Sequence, residues 1–212
     1  LDVVGYFKRK LGAESCAGIL KEAFAKGAGL PEPYQVLKEI PFRAAITTGY
    51  DSLIEEAFTQ NGTPPQVYTY ADGAVLRLSE DLKNFVVKAH GDISHRAPLI
   101  IDRLDFKRLI GPNQAYRSFV EDLYRMNTLL FVGFHSDDPD FILFLDRLVA
   151  NFRDAMTDHY ALIPGLSPPE VEELYANYRV RVLSYEEESD PIGALTALLE
   201  KLRAQWQSRR AE

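Results

Sequence analysis

Three short clusters hold the side chains that could do chemistry: Thr47-Thr48-Gly49-Tyr50-Asp51, His90-Gly91-Asp92 and Gly133-Phe134-His135-Ser136-Asp137. Each follows an apolar run, at residues 42–46, 85–89 and 129–132. A run of that kind ending in polar residues reads as a strand whose carboxyl end opens into a turn. Open α/β folds place their ligands at that edge, and in a parallel sheet all three clusters can converge on one crevice. His90 can act as a general base near neutral pH, or fix a tight His-Gly turn. Asp51 can meet a ligand, cap the helix that follows, or do both. Thr47 and Thr48 line the same edge, and as threonines they are also good strand formers. Gly133 fits a strand-end turn as readily as a close ligand approach.

The elements that must position these clusters follow from periodicity. Residues 1–26 read as helix broken near Gly12, with Val4, Phe7, Leu11, Ile19, Leu20, Ala23 and Phe24 at helical spacing. Gly27-Ala28-Gly29 follows a helix and runs into prolines, so it reads as a helix stop rather than a phosphate loop. A short helix over 34–39 leads to the strand before Thr47. After Asp51, the residues Leu53, Ile54, Ala57 and Phe58 share one helical face. Strands are expected at 67–70, 85–89, 129–132 (continuous and fully buried), 159–163 and 179–184 (half-exposed, near an edge). Helices are expected from about 105 and over about 114–126. Asp138-Pro139 starts another, whose stripe is Phe141, Phe144, Leu145, Leu148 and Phe152. Ser167-Pro168-Pro169-Glu170 is a capping box, and Asp190-Pro191 starts the last helix. That helix turns Ile192, Leu195, Leu198, Leu199 and Leu202 inward, and the tail after Trp206 frays. Strands alternating with helices predict an α/β fold with a doubly wound, mostly parallel sheet.

Composition narrows the function classes. The 212 residues are 46% hydrophobic and 26% charged, with a net charge of −7. That balance is ordinary for a globular domain and argues against direct nucleic-acid binding over the whole surface. The single cysteine, Cys16, excludes a disulfide framework and a cysteine-based zinc site. It also fits a cytoplasmic setting. No apolar run reaches the roughly 18–20 residues of a membrane span, and residues 1–10 lack a signal peptide's apolar region. His95 reads as solvated, His159 as structural, and Glu186-Glu187-Glu188 as a solvated loop. No group of side chains has metal-ligand spacing, so no metal is expected.

The three clusters carry a resemblance. Thr47-Thr48-x-Tyr50-Asp51 followed by Leu53-Ile54-Glu55 resembles the central motif of Sir2-like domains. Lys88-x-His90-Gly91 resembles their catalytic-histidine motif. Leu130-Phe131-Val132-Gly133-x4-Asp138-Pro139-Asp140-Phe141 is similar to the third motif of their bacterial anti-phage defence branch, and residues 159–164 are similar to the strand that follows it there. The likeness runs from about residue 34 to 204. It implies a Rossmann-like, NAD-binding domain that releases nicotinamide and ADP-ribose from NAD. His90 matches the family's base, and Asp51 the aspartate that organises the nicotinamide end of the pocket. Thr47, Thr48, Gly49, Gly133, His135 and Ser136 fall where the nucleotide is held. Classical members deacylate lysines and carry a four-cysteine zinc module, which a chain with one cysteine cannot build. The expected ligand is therefore NAD or an ADP-ribose-type nucleotide, without zinc. The resemblance leaves room for a fused or separate sensor domain and for a homo-oligomer.

Three departures qualify this picture. The family has asparagine at Gly49, where it positions the ribose and the nucleophile. The family usually has serine at His135. The first strand and the glycine-rich loop that wraps the pyrophosphate are missing ahead of the helices. Residues 1–212 are thus expected to form a single Sir2-like domain within a longer chain. A catalytically degenerate module, which binds nucleotide or serves as an assembly surface, is the alternative that Gly49 supports.

Overall fold

The computed structural model describes residues 3–24, 29–60, 62–75, 84–94, 98–110, 112–135, 142, 145–146, 149–150, 157–186 and 190–211. Gly27, Ala28, His95, Ser136, Asp137, the helix start at Asp138-Pro139, Phe141, Phe144, Leu148, Phe152, Glu187 and Glu188 lie outside the described residues. The chain divides into two compact units, Leu1–Phe119 and Val120–Glu212.

The first unit begins with α1 (Val3–Leu11) and α2 (Ala13–Phe24), separated at Gly12 with φ 85°. A left-handed residue there suits glycine and breaks the helix. The helix α3 (Glu32–Leu37) precedes β1 (Ala44–Thr47) and α4 (Leu53–Ala57). Then come β2 (Gln66–Thr69), β3 (Phe85–Lys88), α5 (Arg103–Ile110) and α6 (Gln114–Met126), the last containing the division between units. The strands pair in parallel in the order β1-β3-β2. Every residue of β3 is buried, as expected of the central strand of a parallel sheet. Ala57, Phe58 and Val86 form a core on which Tyr34, Phe42, Ala45 and Ile54 pack. The register sets Thr47 and Thr69 on either side of Lys88, so all three strands end level. Lys8 reaches from α1 to Asp105 and, at 3.2 Å, to Asp102 at the start of α5. The apolar spacing of the first two helices does not bury them: Tyr6, Phe7, Leu11, Ile19 and Phe24 are exposed.

The second unit holds β4 (Leu130–Val132), β5 (His159–Pro164), α7 (Pro168–Tyr178), β6 (Val180–Tyr185) and α8 (Pro191–Ala211). Its strands are also parallel, in the order β4-β5-β6. Tyr124, Leu145, Ala161, Ile163, Leu174 and Val180 form its core. The capping box at Ser167 is present: Glu170 accepts the Ser167 N–H at 2.8 Å and its hydroxyl at 2.6 Å. His159 is structural: it is fully buried, lies against Tyr124 at 3.9 Å between ring centroids, and accepts the Leu129 N–H at Nδ1. Burial drives its pKa down to about 4, against the smaller opposing pull of Asp158.

The α/β class and the parallel pairing hold, with the described strands hydrogen-bonded as two three-stranded sheets. Some details differ from expectation. The run 129–132 is half-buried, and among the described strands β4 pairs with β5 alone. The last helix continues to Ala211 instead of fraying after Trp206. Thr196 and Leu199 are buried, whereas Ile192, on the same face one turn earlier, is 62% exposed, and Leu202 is also exposed.

Candidate functional site

The site is built on the carboxyl edge of the first unit's sheet. At the end of β1, the Thr47 hydroxyl oxygen accepts the Gly49 N–H at 3.0 Å, which tightens the turn. Asp51 then accepts the Leu53 N–H through Oδ1 at 3.0 Å. The N-cap position of α4 belongs to Ser52, whose side chain makes no capping bond, so Asp51 caps the helix from one residue earlier. Its second oxygen turns towards Gly49. A Cβ at position 49 would lie 3.8 Å from Asp51 Oδ2 and 3.2 Å from Thr47 Oγ1. Gly49 does not occupy the left-handed region, so its backbone does not require glycine. Thr48 is exposed.

At the end of β3 the chain turns sharply through His90 and Gly91. Gly91 has φ 87°, and a Cβ there would meet the Pro98 carbonyl oxygen at 3.0 Å. This turn does need its glycine, both for conformation and for space. His90 is half-buried, with its ring 6.4 Å from that of Tyr50 and edge-on to Phe106 at 5.8 Å. Its carbonyl accepts the Ile100 N–H at 2.9 Å. The Tyr50 hydroxyl donates to the Ile100 carbonyl, so the first turn grips the loop that leaves the second. Burial, with help from the Asp105 carboxylate, pushes the Tyr50 phenol's pKa up and keeps it a donor.

A lysine joins the two turns. Lys88 is completely buried, and its ammonium donates to the carbonyls of Tyr50 (3.3 Å) and Asp51. The same ammonium pairs with Glu55 at 2.8 Å and Asp92 at 3.2 Å. Asp92 also accepts the Ser94 N–H and hydroxyl, each at 2.6 Å. Burial pushes the Asp92 carboxyl up, but the Ser94 hydrogen bonds and the Lys88 charge outweigh it and hold the group below its usual range. Sequence reasoning gave neither Lys88 nor Glu55 a role. The signal available was a lysine closing an otherwise apolar strand, with a carboxylate four residues on.

Asp51 and His90 are thus brought to one edge by β1 and β3. Gly133 and His135, both exposed, follow β4 in the second unit, with φ 79° at Gly133 and open space around a Cβ there. A cavity of about 540 Å³ opens beside the 98–100 loop, walled by Tyr70, Leu99, Ile100, Arg108 and Asn113 among others. None of Gly49, Asp51 or His90 lines it, so it is a neighbour of the turns and not their meeting point. Among the described residues, no group of three or more His, Cys, Asp or Glu side chains could hold a metal ion. No helix of those residues is long and apolar enough to cross a membrane.

The chain is similar to several known proteins. The chain is 27% identical over 161 residues to the NAD(+) hydrolase ThsA of Cytobacillus dafuensis, covering 76% of this chain and 32% of that protein. It is 28% identical over 169 residues to the NAD(+) hydrolase ThsA of Bacillus cereus (strain MSX-D12), covering 79% and 35%. It is 29% identical over 149 residues to the protein of that name from Enterococcus faecium, covering 68% and 30%. The chain therefore spans about a third of the length of these relatives. A family profile described as SIR2-like domain matches residues 43–183, which takes in β1 with the Thr47–Asp51 turn, β3 with His90, and the strands of the second unit. The profile covers more than half of the chain, and the chain belongs to the SIR2-like domain family.

Proposed function

We propose that this chain is an NAD-binding domain whose chemistry is hydrolysis of NAD+ to nicotinamide and ADP-ribose, used in bacterial anti-phage defence. The observation that carries the reading is the placement of Asp51 and His90 in the turns that follow two adjacent parallel strands, turns joined by Lys88. Relatives that are NAD(+) hydrolases by name support it. The nicotinamide–ribose bond breaks with its electron pair going to the nicotinamide nitrogen, which neutralises the ring's charge. Water adds to the anomeric carbon, and its proton passes to His90 as general base and then to solvent. Asp51 orders the nicotinamide end, with Thr47 and Thr48 beside it. Contacts from Gly133, His135 and Ser136 to ribose or phosphate belong to the same proposal. The reading takes residues 1–212 as one Rossmann-like domain, of which the family match covers 43–183. A cytoplasmic setting goes with it.

Gly49 favours a second reading. With no side chain to hold ribose and water, the domain would bind nucleotide, or serve assembly, without turning NAD+ over. Nicotinamide release, followed chromatographically from NAD+ with the protein present, separates the two. Release that is lost in His90→Ala supports the hydrolase; tight NAD+ binding without release supports the degenerate module.

A further inference from the structure

We infer that Lys88 is a positioning residue that clamps the two ligand-facing turns, and that through Asp51 it sets how well the site distinguishes an intact nicotinamide nucleotide from ADP-ribose. The inference rests on the NAD reading for its ligand, and on geometry alone for the clamp. One ammonium, fully buried at the end of the central strand, meets four acceptors: the carbonyls of Tyr50 and Asp51, the Glu55 carboxylate at 2.8 Å and the Asp92 carboxylate at 3.2 Å. Those acceptors come from the Thr47–Asp51 turn, the first turn of α4 and the turn after His90. The Tyr50 carbonyl also accepts the Ile93 N–H at 3.4 Å, so the turns touch directly as well.

Stability is a poor explanation for such a cluster. Desolvating an ammonium and two carboxylates offsets most of their attraction, and an apolar side chain in this sheet centre would avoid that cost. Glu55 Oε2 is buried without a hydrogen-bond partner, an unfavourable feature in itself. What an ammonium supplies here, and a packed hydrocarbon cannot, is three donors diverging from one point to separate chain segments. Two of those donors fix the backbone on which Asp51 rides.

Lys88→Met keeps the stem and removes the donors. Glu55→Gln neutralises one partner without emptying the buried position, and stays readable if Lys88→Met does not fold. Hydrogen–deuterium exchange is measured on the protein and both variants over residues 49–53 and 91–94, with β5 as an internal reference. NAD+ and ADP-ribose are titrated separately by calorimetry. The clamp predicts exchange about tenfold faster in both turns of Lys88→Met, with β5 unchanged. It also predicts that NAD+ affinity falls about tenfold while ADP-ribose affinity falls much less. Unchanged exchange at both turns in both variants overturns the clamp. Equal losses for the two nucleotides overturn the positioning role and leave Lys88 a core residue. Failure of the unmodified protein to bind either nucleotide overturns the NAD reading instead, and the exchange result then decides the clamp by itself.

Discussion

Replacing Gly49 by asparagine tests whether one missing side chain separates this domain from an efficient hydrolase. The backbone at Gly49 lies outside the left-handed region, so asparagine needs no strained conformation. Its Cβ would stand 3.2 Å from Thr47 Oγ1, which asks that hydroxyl to yield by a few tenths of an ångström, and 3.8 Å from Asp51 Oδ2, an ordinary contact. Such crowding costs about 1 kcal/mol, and replacing glycine regains about 0.4–1 kcal/mol by restricting the unfolded chain. The two nearly cancel, so the variant should melt within about 5 °C of the parent. A preorganised hydrogen-bonding group aimed at developing charge is worth about 3–4 kcal/mol, so nicotinamide release should rise about a hundredfold or more. The assay is chromatographic nicotinamide release at saturating NAD+, with calorimetric melting alongside. A variant that folds and binds NAD+ but releases no more nicotinamide refutes the assignment of the defect to position 49. A loss of more than about 3 kcal/mol in stability refutes the geometry from which the substitution was judged harmless.

Other expectations concern the scaffold. Gly91→Ala should destabilise the protein by about 1–3 kcal/mol, since it combines φ 87° with a Cβ 3.0 Å from the Pro98 carbonyl; denaturant titration reads the loss. Ser167→Ala should cost about 1 kcal/mol by the same measurement, because it removes half of the capping box on α7. Buried His159 titrates at about 4 in the folded protein against about 6.5 when unfolded. The unfolded chain therefore binds the extra proton first, and stability, full above about pH 6.5, falls towards pH 4 by at most about 3 kcal/mol. Denaturant titrations between pH 7 and 4 should show that slope, and His159→Asn should flatten it.

Much of this architecture was legible because local chemistry dictates it. The helix over 114–126 is bounded by a turn and a polar stop, the capping box at Ser167 and Glu170 needs only four residues, and Asp190 accepts the Gly193 N–H just where a helix start was expected. The Thr47–Asp51 and His90–Asp92 turns were legible as strand ends. Burial was not. Helical spacing says that Phe7, Leu11 and Ile192 share faces with their neighbours, but not that anything covers those faces, and all three stand exposed. Lys88 was the other loss. By type it is a solvent residue, and three of its four partners, Tyr50, Asp51 and Glu55, lie over thirty residues away in sequence, so the local signal of a strand-closing lysine with a carboxylate four residues on does not show that its ammonium joins two turns.

The central claim is that the edge holding Asp51 and His90 receives the nicotinamide end of NAD+. Calorimetric titration of the protein and its Asp51→Ala variant with NAD+ tests it most directly. The account predicts saturable binding, weakened about tenfold or more by Asp51→Ala, with ADP-ribose affinity far less affected. No binding heat at millimolar NAD+, or equal affinity in the two proteins, would contradict it.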